Sequence, residues 1–409
     1  MESVETVVIG GGQAGLAMSY HLKEQCREHV ILERARVAER WRTQRWDSLM
    51  FQFPNWSIEL PGCAYKGDDP DGFSQKDDVV RFIEAYSTRI EAPLRTGINV
   101  RSLRADAQPG RYIVLTDHGE LQARNVVIAT GPYQQPKIPP HSTGFPTDVV
   151  QLHASEYRNP NALPSGAVLV VGSGASGCQI ADELVEAGRR VYLSVGRHRR
   201  FPRRYRGKDF FWWSRVLGRY DLTVDDSPQA RRIAPPVVTG VHGGYSIDLR
   251  RSAANGLRLL GHLLDVSDGR VALAADLGEN LRHGDQAFDN FRREVDDYIS
   301  STGTDVSQPL SDDNHAHATD AGESPRVIDV RVEAIRSIIW ATGYTVDFGW
   351  VELPIFDEQG DPVHRRGVTA APGIYFLGLA WLHKLTSSVL CGVGEDASFL
   401  AERIAEDRR

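Results

Sequence analysis

The sequence is short of several things, and each shortage closes a class of function. Four cysteines occur in 409 residues, Cys26, Cys63, Cys178 and Cys391, and no two stand at CxxC or CxxxxC spacing. A dithiol redox centre needs such a pair, so that chemistry is disfavoured. No apolar run approaches the roughly 20 residues of a membrane span. Basic residues are outnumbered, and the net charge of −7 provides no positive surface for a nucleic-acid backbone. The chain enters an apolar run at residues 4–12 without a basic segment or a small-residue cleavage site before it, so no secretory signal and a cytoplasmic location are expected. With 41% hydrophobic and 25% charged residues the composition is that of an ordinary globular protein, and the length predicts two domains.

Glycine is abundant where it carries information. An apolar strand at residues 6–9 runs into Gly10, Gly11, Gly12, Gln13, Ala14 and Gly15, and then into helical apolar spacing at 16–22. Strand, glycine turn and helix together form a dinucleotide site: the turn needs permissive dihedrals, a pyrophosphate must approach the backbone, and the helix must pack closely on the strand. The next strand, 29–32, ends at Glu33, followed by Arg34. An acidic side chain there accepts hydrogen bonds from a ribose diol, which suits an adenosine without a 2′-phosphate and hence FAD or NAD.

The pattern recurs. Strand 168–171 leads into Gly172, Ser173, Gly174, Ala175, Ser176 and Gly177, then helix 179–186 and strand 191–195. Arginines follow in place of an acid: Arg197, Arg199, Arg200, Arg203, Arg204 and Arg206. Guanidinium groups at that point favour a 2′-phosphate, so NADPH is expected here, with Arg197, Arg199 and Arg200 as its ligands.

Two apolar strands, 125–128 and 337–340, end in the same tripeptide, Ala129-Thr130-Gly131 and Ala341-Thr342-Gly343. Each reads as a place where the chain crosses between domains and backbone approaches a cofactor. The expected architecture is therefore α/β, with two Rossmann-like (three-layer ββα) dinucleotide-binding domains. The FAD domain comprises residues 1–160 and 336–409, and the NADPH domain, 161–335, is inserted in it with a flexible loop at about 300–325. A further strand, 373–377, ends at Gly378, and residues 392–396 open a last helix whose N-terminus suits the pyrimidine edge of a reduced flavin.

These motifs, with Trp41-Arg42, the stretch Trp46-Asp47-Ser48-Leu49, Phe53-Pro54 and Leu60-Pro61, give the chain a likeness. It resembles the flavin-containing monooxygenases, class B flavoprotein monooxygenases that include the plant YUCCA enzymes and bacterial forms often labelled potassium-transport flavoproteins. The family motif FxGxxxHxxxY is half kept: His153 and Tyr157 match, while Thr147 and Val149 replace its Phe and Gly. The resemblance implies FAD and NADPH as cofactors, O2 and a small organic molecule as substrates, and a C4a-hydroperoxyflavin that oxygenates nitrogen, sulfur or a carbonyl compound. It adds Trp41 and Arg42 to the cofactor contacts and implicates Gln52, His153 and Tyr157 as the positioning and hydrogen-bonding catalytic residues. An NAD(P)H oxidoreductase or oxidase without oxygen insertion, or a flavin-binding transport regulator, stands as the alternative. Residues 210–213 are expected to line a substrate entrance or pack between domains, and Trp381, His383 and Lys384 to approach the substrate side or form a packed linker. Asp312, Asp313, His315 and His317 fall in the loop-like stretch, and no metal is expected there.

Overall fold

The computed structural model describes residues 1–227, 235–307 and 324–406. Asp312, Asp313, His315 and His317 lie outside them. Among the described residues no group of His, Cys, Asp and Glu is arranged to hold a metal ion, and no helix is long and apolar enough to cross a membrane.

Two parallel sheets form the frame. In the first, strands lie in the order Leu94–Thr96, His29–Glu33, Glu2–Ile9, Gly119–Ile128, Ile374–Phe376. Ile9 stands in register with both Leu32 and Ile128, and Ile128 with Phe376, so four strands end at one level. The apolar runs that make them are buried on both faces, as a helix-covered parallel sheet requires. The first half of Gly119–Ile128 pairs instead with Tyr112–Thr116, which pairs with Val100–Ala105 in an antiparallel extension. Helices Gln13–Glu24 and Val393–Glu406 pack together over the sheet through Leu16, Ala17, Leu22, Ala397, Leu400 and Ile404.

The second sheet runs Val150–His153, Ile335–Trp340, Ala167–Val171, Val191–Ser194, Arg258–Leu260, all parallel. Its first two strands fall outside or astride the expected 161–335 limits, so the sheet of the inserted unit takes in residues from about 150 to 340. The cause is edge protection: Val150–His153 covers the flank of Ile335–Trp340, and the buried Trp340 indole donates to Gln151 at 3.1 Å. Helix Leu277–Thr302 extends into the start of the stretch read as a loop and ends on the left-handed Gly303.

The chain crosses between the units twice, and the crossings are zipped together. Beyond each Ala-Thr-Gly, strands Gln135–Pro136 and Tyr344–Thr345 pair antiparallel, and the Lys137 N–H donates to Gly343 at 3.0 Å. A second tie lies across the units. Glu183, on helix Ala175–Glu186, accepts from Ser48 at 2.6 Å and from Tyr157 at 2.8 Å, while Trp46 and Leu49 enter the core of the inserted unit.

A Cβ on Gly15 would lie 1.9 Å from the Gly10 carbonyl oxygen, a clash with backbone that no rotamer relieves. Gly15→Ala is expected to cost about 2 kcal/mol or more of stability, read as a lowered melting temperature of the cofactor-free protein; an unchanged one contradicts this packing.

Candidate cofactor sites

The two glycine loops share one geometry. Gly10 (φ +114°) and Gly172 (φ +107°) occupy backbone open only to glycine, and a Cβ on them would meet the Ala129 and Ala341 carbonyl oxygens at 2.5 and 2.6 Å. Gly177 repeats Gly15, its Cβ meeting the Gly172 oxygen at 1.9 Å. Gly12 and Gly174 differ: both are extended, a conformation any residue adopts, and a Cβ on either meets nothing within 4 Å. Folding alone therefore does not require glycine there, whereas a group seated on the backbone would. Each of these residues is also the N-cap of its helix, with no side-chain cap and no acidic residue in the first turn. Uncapped N–H groups with an open approach fit a pyrophosphate.

The rims of the loops diverge. Glu33 is drawn to the first by two backbone donors, Gly11 at 2.8 Å and Ala35 at 2.9 Å. In the second, Ser173 holds Gly196 instead, its hydroxyl 3.0 Å from the carbonyl oxygen and 3.1 Å from the N–H. Among the described residues no carboxylate is fixed there. Gln13 donates to Ser388 at 2.6 Å, Gly378 (φ +76°) admits Ala14 against the C-terminal segment, and Thr130 accepts from Gln134 at 2.9 Å. Ser176 and Arg34 are exposed.

The structure divides the arginine strip. Arg197 is exposed beside the second loop and has no hydrogen-bond or ion-pair partner among the described residues. Arg199 is half-buried, 5.0 Å over the Phe201 ring, and burial holds its pKa below the usual value. Arg200 departs from the expected role: it is 3% exposed and lies 3.2 Å from Asp248 and 2.9 Å from Asp285. Arg203 is likewise buried on Asp209 at 2.8 Å, and Arg206 pairs with Asp296 at 2.7 Å. Arg42 also turns away, to Glu84 on helix Lys76–Arg89, whereas Trp41 stays half-buried against Phe51 under Arg45.

The three residues expected to be catalytic are not brought together. Tyr157 is completely buried, its hydroxyl committed to Glu183. His153 is buried at the end of its strand, with Nε2 3.0 Å from the Gly343 carbonyl oxygen and Nδ1 2.9 Å from the Ser155 hydroxyl. It secures the second crossing. Gln52 alone has a side chain without a protein partner among the described residues, while its carbonyl oxygen accepts from Arg203 at 2.7 Å. The aromatic run at 210–213 packs: Phe211 stacks on Phe53 at 4.0 Å across the units, and Trp213 is buried in the cluster around Phe201 and Phe291.

The family profile of the pyridine nucleotide-disulphide oxidoreductases matches residues 7–208, which contain both glycine loops. A CzcO-like oxidoreductase of Geobacillus kaustophilus, itself uncharacterized, is 33% identical over 404 residues, 98% of either chain. The indole-3-pyruvate monooxygenase YUCCA1 of Oryza sativa is 28% identical over 311 residues, 73% of this chain and 76% of its own. The chain belongs to the CzcO-like oxidoreductases of the flavin-containing monooxygenase family. Its fold is also that of the solved flavin-containing monooxygenase of Stenotrophomonas maltophilia, with a TM-score of 0.68 and 21% identity over the whole of both chains.

In this CzcO-like chain, then, the His of the family motif secures a crossing between the units, and the Tyr is spent inside the inserted one, on the Glu183 that also takes Ser48 from the other. Glu183 carries no signal in the sequence, because its partners Ser48 and Tyr157 lie 135 and 26 residues away. Tyr157→Phe is expected to cost about 1 kcal/mol, and Arg200→Ala about 3 kcal/mol or more because it takes the ion pair from buried Asp248 and leaves buried Asp285 with Arg250 alone; denaturant unfolding measures both.

Burial lowers the pKa of His153, with the Gly343 contact opposing, and burial acts in the same direction on His21, His29 and His198. The unfolded chain then takes up protons first, so their contribution to stability is whole above about pH 6.5 and is lost as pH falls below it. His153→Gln is expected to flatten that fall in a series of melts between pH 7.5 and 5; an unaltered slope rejects the assignment.

Proposed function

We propose that this protein is an FAD- and NADPH-dependent monooxygenase that transfers one oxygen atom of O2 to a small organic substrate. The observation that carries this reading is the pair of open second glycines with unlike rims. FAD belongs at the first loop, on Gly10, Gly12, Ala14 and Gly15, with Glu33 toward the ribose. NADPH belongs at the second, on Gly172, Gly174, Ser176 and Gly177, with Arg197 facing the 2′-phosphate. Arg199 is its nearest basic companion, and Arg200 drops out of the phosphate set. Family membership supports both cofactors and the oxygenation.

Bound FAD would supply the two-electron chemistry and the activation of O2, with NADPH as the hydride source. The balance is substrate, O2, NADPH and a proton giving oxygenated substrate, water and NADP+. The chain's own residues have three tasks. The glycine loops bind and orient. Phe53 and Phe211, stacked next to Gln52, would keep water from the space beside it. The Gln52 amide, on a backbone pinned by the buried Arg203, offers an oriented donor and acceptor. No side chain is required as a nucleophile.

One observation favours a second reading, an NAD(P)H oxidase that releases peroxide: His153 and Tyr157 are both engaged within the protein, which leaves fewer groups to protect a reactive oxygen species. Counting NADPH consumed, peroxide released and oxygenated product formed across amines, sulfides and ketones separates the two. Product equal to NADPH consumed for some substrate is the expected result; stoichiometric peroxide with every compound would overturn it. For the phosphate contact, Arg197→Ala is expected to raise the NADPH KM about tenfold or more while leaving the NADH KM nearly unchanged. Equal changes reject the role of Arg197.

A further inference from the structure

Beyond the aromatic helix Phe210–Val216 the chain runs onto the first unit and is fastened there. Thr223 bridges to Lys384, the Val224 N–H donates to the His383 oxygen at 2.8 Å, and the Lys384 ammonium lies 3.2 Å from Asp221 and 2.7 Å from Glu395. The same C-terminal segment touches the first glycine helix four residues later, where Ser388 accepts from Gln13. Tyr220 is held between the helix and this fastening.

Its hydroxyl oxygen is buried and has no hydrogen-bond partner among the described residues. The other buried phenols behave differently: Tyr86, Tyr112, Tyr157 and Tyr205 each donate to a protein oxygen at 2.6–3.0 Å. A buried hydroxyl left unpaired is destabilising, and native proteins carry few without a reason. The charged and titratable groups around it are Cys391, Asp209, Arg215 and Arg203. Two of these locate it. Cys391 stands two residues before helix Val393–Glu406, and Arg203 is the residue that holds the Gln52 carbonyl. Burial pushes the phenol's pKa far up, so it remains a protonated donor.

We propose that the Tyr220 hydroxyl donates a hydrogen bond to the isoalloxazine ring of FAD. This rests on the placement of FAD at the first loop, with its ring toward Gln52 and the start of the last helix as the proposed function has it. The same donor stabilises an electron-rich reduced ring more than an oxidised one.

The experiment compares Tyr220→Phe with the wild type, as cofactor-free and FAD-loaded full-length protein, with no substrate needed. Without FAD the variant is expected to melt no lower than the wild type, since its hydroxyl has no partner to lose. With FAD it is expected to bind about fivefold more weakly, to show a displaced flavin absorption band and to have a lower flavin midpoint potential. FAD affinity, spectrum and potential all unchanged would overturn the contact, as would an equal loss of melting temperature with and without FAD, the mark of a packing role. Wild-type protein that takes up no FAD overturns the proposed function as well; uptake with an indifferent variant overturns this contact alone.

Discussion

In each unit the strand that leads into the glycine loop and its parallel neighbour end so close together that the first glycine of the loop lies against an alanine carbonyl, Gly10 on Ala129 and Gly172 on Ala341. No side chain fits into that gap, and much else depends on it. The contact brings the Ala-Thr-Gly exits beside the glycine turns, so the chain leaves one unit and enters the other at the mouth of each site. The two exits then pair with each other, and His153 caps the second through the Gly343 carbonyl. Cofactor seats and covalent crossings are thus one construction. A change in how the units are joined is transmitted directly to the backbone that would carry the nucleotides.

The inserted unit is held by charge as well as by packing. Arg200 and Arg203 are buried with carboxylates on three separate elements, and breaking such pairs is costly because it leaves an uncompensated buried charge. Their positions fix what lies around them. Arg200 ties the segment after the second nucleotide strand to helix Leu277–Thr302, and Arg203 reaches across to the Gln52 backbone. Arginines that a sequence reader assigns to a ligand's phosphate can instead be the internal struts that leave one exposed arginine, Arg197, beside the site.

The parts legible in the sequence were those governed by local chemistry. Strand, glycine turn and helix are contiguous, so the two loops, Glu33 and both Ala-Thr-Gly exits were readable along with the α/β class and the insertion. Val150–His153 is too short and too polar to announce a parallel strand, and even beside Ile335–Trp340 only its last residue, His153, is buried. The roles of Arg200, His153 and Tyr157 were hidden for a related reason: Asp285, Gly343 and Glu183 are 85, 190 and 26 residues away, and no spacing rule anticipates those contacts. Motif residues are fixed points of the fold, and only the fold shows what they hold.

The central claim is that Gly12 and Gly174 are glycine for the sake of a bound dinucleotide, FAD at one and NADPH at the other. Alanine at either position has room and an allowed backbone in the folded protein. Measuring FAD content and NADPH affinity in Gly12→Ala and Gly174→Ala, at unchanged melting temperature of the cofactor-free protein, tests it most directly. The account predicts that the first variant loses FAD, while the second keeps FAD and loses NADPH. Variants that retain both cofactors, or that exchange these two phenotypes, would contradict it.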